Sequence, residues 1–370
     1  MGANSTYLKI YGGLVGVAVA AVAGFNLIVD PRHIFRLVDQ VGFNHYKPFI
    51  SRQGASRIKS LELAKDQGYD GVLLGNSRIF WGLNPEAPAF GEHNFYNAGI
   101  KSISIYQLKK IFEYAIKHQP IETAIIGLNL NLFDDRRPAI PPNQDFKHSA
   151  FNNRPVLISN LSQAFTRSSL LASLWTLSYN RNVKEPLHRY TERGFLNPEY
   201  PQPHRTKNFI KVSEKMKNGK YPLTFSYNED TLAVFKQVLD LAAANQIKLI
   251  LFIEPGHALA EKWSRLTGNY KVTESWKGDV VALLEESAVE YELWDFTGFN
   301  SVTTELIPEN EEIELKYFID PIHYTWETGD LIAARLMGEE TPEGFGVRLT
   351  PENLDAQLER NLQQSEDYQL

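Results

Sequence analysis

The 370-residue sequence predicts an α/β protein: a three-layer α/β/α arrangement around a mainly parallel sheet, behind a single N-terminal transmembrane helix. Two observations carry this expectation. Short apolar runs of strand length alternate with helical stripes across residues 69–133 and again across 231–296, the order that builds a parallel sheet. Ahead of them, no charge stands between Lys9 and Asp30. That run is 20 residues long, about what a helix needs to cross a ~30 Å hydrocarbon core.

In the first 30 residues, small side chains recur at Gly12, Gly16, Ala20 and Gly24, a stripe on which a second membrane helix can pack closely. Ala21-Val22-Ala23 fits the small-residue pattern of a cleaved signal peptide, but the apolar run resumes at Phe25 and Leu27-Ile28-Val29, which favours an uncleaved signal anchor. Lys9 stands before the span and Arg32 and Arg36 after it, so charge does not fix the orientation. Both readings put the body of the protein outside the cytoplasm, periplasmic or extracellular.

Residues 31–65 read as a connector and a first amphipathic helix. "YDGVLLGNS" is a buried-type strand by its continuous apolar run, and "NFYNAGI" is a second strand ending at Gly99. "SIYQLKKIFEYAIKHQ" carries apolar residues at Ile105, Leu108, Ile111, Phe112, Ala115 and Ile116, a helical stripe, and "IETAIIGLNLNLF" is a third strand. Residues 134–226 break the rhythm with Pro, Asn, Arg and Ser and are expected to form an insertion or cap. "TLAVFKQVLDLAAANQ", "KLILFIEP", "DVVALLEESAVE" and "YELWDF" restore it as helix, strand, helix, strand, and "YFIDPIHYTWETGDLIAARLMG" closes the domain with a loop and a helix. Thr350-Pro351-Glu352 starts a polar terminal helix, with a cap followed by proline at the first position. The expected organisation is an anchor (1–30), one domain (31–337, with the insertion at about 134–226) and a polar tail (338–370).

Hydrophobic content of 43% and charged content of 22% are ordinary for a globular chain. A net charge of −6 and the absence of any basic run speak against a nucleic-acid partner. With no cysteine, disulfides, thiolate metal sites and cysteine nucleophiles are excluded.

Ligands of open α/β sheets bind beyond the carboxyl ends of the strands. The polar residues expected there are Ser77, Asn97 with Gly99, Gly127 with Asn129, Glu254 with His257, and Asp320 with His323 in a D-x-x-H spacing. These are parts for acyl transfer. His323 is the base a serine nucleophile at Ser77 needs, and Asp320 would hold the other imidazole nitrogen. The N–H groups of Ser77 and Gly99 and the Asn129 amide are the candidate oxyanion donors. Each residue also has a plainer reading: Ser77 as a helix cap, Asp320 as an Asx turn before Pro321, Asn97 as a partner of backbone groups. Arg78, Asn97 and His257 are candidate substrate contacts; an arginine at position 78 equally suits an ion pair with a structural carboxylate, and a loop histidine at 257 simple solvation. Glu254 and His257 lack a third ligand at usable spacing, so no metal is expected. Of the aromatics, Phe80, Trp81, Trp263, Trp276 and Trp294 suit sugar stacking or core packing.

In the order and spacing of "LIVDPRHIF", "VLLGNSRIFWGLNP", "FYNAGIKSISIYQL", "AIIGLNLNLF", "LFIEPGHA" and "YFIDPIHY", the chain resembles the SGNH (GDSL-type) hydrolase superfamily. More closely, it is similar to the membrane-anchored branch related to alginate O-acetylation and D-alanyl lipoteichoic acid export proteins. The similarity covers roughly residues 27–135 and 247–337. Two departures stand out: the familiar G-D-S is Gly75-Asn76-Ser77, and the block Gly127-Leu128-Asn129-Leu130 lacks the aspartate that usually follows. The resemblance implies an SGNH- or flavodoxin-like sheet and a cofactor-free serine acyltransferase that O-acetylates a cell-envelope polysaccharide or exopolysaccharide. It would take an acylated donor and a glycan acceptor and work beside a membrane acyltransferase. Two alternatives stay open: an esterase of the same mechanism, and a non-catalytic glycan-binding or scaffold subunit of a secretion complex.

Overall fold

The computed structural model describes residues 2–48, 54–137, 144–153, 156–220 and 224–368. In chain order its first elements are α1 (Gly2–Val29), α2 (Ala55–Leu63), β1 (Gly71–Leu74), α3 (Ser77–Gly82), β2 (Phe95–Asn97), α4 (Ile105–His118) and β3 (Thr123–Leu128). Helices α5 (Gln144–Lys147), α6 (Val156–Ala164), α7 (Arg167–Asn182), α8 (Arg205–Lys217) and α9 (Glu229–Ala244) follow. The chain ends through β4 (Lys248–Ile253), α10 (Ala258–Leu266), α11 (Asn269–Glu285), β5 (Tyr291–Asp295), α12 (Trp326–Leu336), β6 (Val347–Arg348) and α13 (Leu354–Asp367). They group into two compact units, Met1–Glu62 with Asn143–Arg189, and Leu63–Pro142 with Tyr190–Leu370.

The first unit is helical. Ser5–Val29 of α1 is long and apolar enough to cross a membrane. Its last turns bury Ala23, Asn26 and Val29, and Asn26 bonds to the Ala164 carbonyl of α6 and the Ser173 hydroxyl of α7. Asp30 ends the helix: its carboxylate accepts the N–H groups of Ile34, Phe35 and Arg36 at 2.8–2.9 Å, which turns the chain away from the helix axis. The stretch read from sequence as one insertion is shared, with residues 144–189 clustering beside α1 and residues from 190 onward belonging to the sheet unit.

The second unit holds a six-stranded sheet of order β2-β1-β3-β4-β5-β6. β1 to β5 pair in parallel, and β6 adds antiparallel to β5 through Trp294↔Arg348. The sequence did not mark β6, a two-residue strand in the tail; Phe345 and Leu349 beside it are buried, so this part of the tail belongs to the core. Every residue of β1 is buried, as its unbroken apolar run requires. Between β1 and β3 the order of connection reverses. The crevice at such a switch point is where open α/β sheets bind ligands, and the chain leaves β1 into Ser77 and β3 into Asn129.

Close backbone approach fixes α3. A Cβ at Gly82 would lie 2.1 Å from the Tyr324 ring, and a Cβ at Gly329 of α12 only 1.8 Å from the Gly82 carbonyl oxygen. The helix that begins at Ser77 is therefore clamped against the segment carrying His323. Gly329→Ala should lower stability by at least about 2 kcal/mol by forcing these backbones apart, read from denaturant midpoints; an unchanged midpoint would show that the contact is not tight.

Candidate active site

The β1–α3 turn is built around Asn76. Its Oδ1 accepts the Arg78 N–H at 3.1 Å, making it the N-cap of α3. Capping is thus assigned to Asn76, and Ser77 occupies the first helical position with its side chain free for another partner. That partner is His323, with Ser77 Oγ 2.8 Å from Nε2. His323 Nδ1 lies 2.8 Å from Asp320 Oδ2. Asp320 also makes the turn: its Oδ1 accepts the N–H groups of Ile322 and His323, each at 2.9 Å. One carboxylate therefore serves both roles read from the sequence, the Asx turn and the imidazole anchor. Burial raises its pKa, but the electrostatic interaction with the His323 ring and the three hydrogen bonds outweigh this and leave it below the ordinary carboxylate value. An ionised Asp320 accepts from Nδ1–H, which leaves the Nε2 lone pair directed at the serine hydroxyl.

Behind the serine runs a buried chain of amides. Asn76 Nδ2 donates to Asn129 Oδ1 at 3.1 Å, and Asn129 Nδ2 donates to Glu254 Oε2. Asn129 Oδ1 also accepts the Leu132 N–H at 3.1 Å. An aspartate at position 76 has no hydrogen to give Asn129 Oδ1, so the departure from G-D-S suits this chain. Burial raises the Glu254 carboxyl above its ordinary value, while Arg78 and the Asn129 bond pull it down. Tyr324, next to His323, is raised well above the usual phenol value by burial and by Glu254. Glu254 Oε1 and Tyr324 Oη are both buried, and the two side chains interact with each other. The sequence reading weighed Glu254 only as a metal ligand and did not single out Tyr324. The one signal was position, a carboxylate closing an otherwise apolar strand and a tyrosine directly after D-x-x-H.

The remaining candidates divide. Gly99 lies against α3, where a Cβ would sit 2.8 Å from the Phe80 nitrogen, but its own N–H is donated to Asn97 Oδ1 at 3.0 Å. The Asn129 amide is engaged with Glu254 as described. Of the three oxyanion donors read from sequence, the Ser77 N–H has no acceptor among the described residues, and the Asn129 amide gives one of its two hydrogens to Glu254. Asn97 is fully buried, and its Nδ2 donates to the Ile79 and Leu83 carbonyls at 2.9 and 2.7 Å. It ties down the end of α3, the plainer of its two readings from sequence, a partner of backbone groups. His257 is likewise buried: Nδ1 accepts the Leu259 N–H at 3.1 Å, Nε2 sits 2.8 Å from the Glu305 carbonyl, and Phe209 and Phe318 pack edge-on against the ring. It caps α10 from a buried position. Arg78 Nη1 holds the Glu254 and Pro255 carbonyls at 3.1 and 3.3 Å and lines a cleft of ≈ 130 Å³ with Asn129, Glu254 and Ile322.

A second, smaller hollow of ≈ 50 Å³ is lined by Trp81, Trp326, Phe195, Leu196 and Ile319. Lys101 Nζ stands 3.7 Å from the Trp81 ring centre. Trp276 and Phe80 are core residues, and Trp294 packs against the core; Trp326 was not picked out from sequence because nothing in its spacing separates it from a core tryptophan. Among the described residues no cluster of His, Cys, Asp or Glu has metal-site geometry. Neither a protein-family model nor a curated protein matches this chain.

Burial lowers the His257 pKa to about 4. The native imidazole stays neutral where the unfolded one, near 6.5, takes up a proton. Its contribution is therefore complete above pH 6.5 and lost as pH falls toward 4, about 3 kcal/mol over the window. Unfolding free energies measured between these pH values should show this slope in the wild type and lose most of it in His257→Gln; an equal slope in both would contradict the assignment.

Proposed function

We propose that the sheet unit is a serine acyl-transfer enzyme of SGNH type, its sheet covered by helices on both faces in three layers. The observation that supports it best is the unbroken chain Asp320–His323–Ser77, with 2.8 Å at both imidazole nitrogens, in the crevice beyond β1 and β3. In this reading His323 Nε2 takes the Ser77 proton as Oγ attacks an acyl carbonyl, and Asp320 steadies the imidazolium. The Ser77 N–H faces the developing oxyanion, joined by the second amide hydrogen of Asn129, a residue that lines the larger cleft. His323 then protonates the departing group. In the second half it deprotonates an incoming hydroxyl, which attacks the Ser77 ester and frees the serine.

The resemblance to membrane-anchored O-acetylation proteins favours a glycan hydroxyl as that acceptor, with the acyl donor delivered by a membrane acyltransferase. One feature supports a sugar. Trp81 and Trp326 line an apolar hollow that contains Ile319, four residues before His323, and tryptophan faces stack on sugar rings. The N-terminal helix supports an enzyme anchored at a membrane surface; in this proposal its catalytic unit lies outside the cytoplasm. An esterase would use the same residues with water as the acceptor.

Ser77→Ala should lower turnover of an activated acetyl ester roughly 10⁴-fold or more while leaving the thermal midpoint unchanged. Adding oligosaccharide to the wild type should divert acetyl groups from water to sugar, measured by product mass. Retained turnover in Ser77→Ala would remove the serine assignment. Acetate as the only product at saturating oligosaccharide would leave the esterase.

A further inference from the structure

Helix α7 is inside out. It buries Ser169, Ala172, Ser173, Thr176 and Asn180 and exposes Leu171, Leu174 and Trp175 at 55%, 52% and 46%. In water the opposite partition is expected, with apolar side chains inward and hydroxyls outward. Where lipid is the solvent, small and polar residues form the helix–helix contact and apolar ones face out. The buried face meets α1, where the Asn26 amide oxygen accepts the Ser173 hydroxyl at 2.9 Å. The neighbouring helix extends the apolar surface: Leu161 and Phe165 are exposed beside Ala164, whose carbonyl holds the Asn26 amide nitrogen at 2.7 Å. Between Val156 and Asn180 the sequence carries one charge, Arg167.

The depth agrees with this. At the start of α1 the stacked and exposed Tyr7 and Tyr11 are suited to a membrane–water boundary. Counting ~1.5 Å per residue from Leu8, a ~30 Å hydrocarbon layer ends near Leu27, the level at which Asn26 meets α6 and α7. The uncharged run Ser168–Asn180 is 13 residues, too short to span, and Arg167 and Arg181 flank it as side chains that can reach the headgroups.

We infer that α6 and α7 form a second membrane contact, lying in one leaflet beside the end of α1 with Phe165, Leu171, Leu174 and Trp175 among the upper acyl chains. The anchor is then a three-helix platform rather than a single tether. This inference is independent of the acyl-transfer reading.

Because the chain has no cysteine, one introduced thiol is unique. The full chain carrying Leu174→Cys, labelled with an environment-sensitive fluorophore and reconstituted in phosphatidylcholine vesicles, should show a blue-shifted emission. Lipids brominated high on the acyl chain should quench it. The same label at the exposed Gln237→Cys of α9 should show neither effect. Trp175→Phe keeps an apolar ring and should remove the part of the intrinsic fluorescence that bromolipid quenches. Water-like emission at position 174 with quenching unchanged in Trp175→Phe would overturn the inference. So would disulfide-linked dimers through Cys at position 174, which would assign the face to a second copy of the chain.

Discussion

The Ser77–His323–Asp320 geometry depends on one turn, the step from β1 through Gly75 and Asn76 into α3. Asn76 is held at both ends of its amide, with Oδ1 on the Arg78 N–H and Nδ2 on Asn129. Asn129 is in turn held by Glu254 at the end of β4. Three adjacent strands are thereby joined through side chains where their backbone pairing ends. Because the cap is supplied by residue 76, the hydroxyl one residue later is released from capping and meets His323. From the other side, the contacts of Gly82 with Tyr324 and with Gly329 press α3 against the loop that delivers the imidazole. The serine and the histidine, 246 positions apart in sequence, meet because both supports act on the same short helix.

Buried polar groups elsewhere in this unit serve the same end. Asn97 and His257 stand at strand ends, where a ligand contact is expected, yet each spends its polar atoms on backbone groups the fold leaves without partners. Leaving such a group unpaired costs about as much as losing a hydrogen bond, so a strand end that turns sharply into a helix needs residues of this kind. Asp320 shows that the two functions can be combined: one oxygen shapes the turn and the other orients the imidazole.

Much of this was legible in the sequence, and the limits have physical causes. Buried parallel strands write themselves as apolar runs, so β1, β3 and β4 stood out most; β6, two residues long and defined by pairing alone, did not. That Ser77, Asp320 and His323 meet was readable because a serine at a strand end and a D-x-x-H spacing are a recognisable combination of residue types. The destinations of Asn97, His257 and the Gly99 N–H were not, since a buried asparagine and a substrate-binding one look alike until their partners are known. Glu254 was visible as a charge closing an apolar strand, but its link to Ser77 runs through Asn129 and Asn76, a three-strand relation that no local pattern encodes. The inverted polarity of α7, inside the stretch read as an insertion or cap, emerged when the structure showed which of its faces is covered.

The proposed chemistry stands or falls on whether the His323–Asp320 pair activates Ser77. The most direct measurement is intact-mass analysis of the full chain in detergent after exposure to a fluorophosphonate probe, beside Ser77→Ala and Asp320→Asn. An activated serine gives one adduct on the wild-type chain, none on Ser77→Ala and markedly slower labelling of Asp320→Asn. A folded wild-type protein that takes no adduct, or an adduct that survives in Ser77→Ala, would contradict the account and leave the site as a polar knot that stabilises the sheet edge without chemistry.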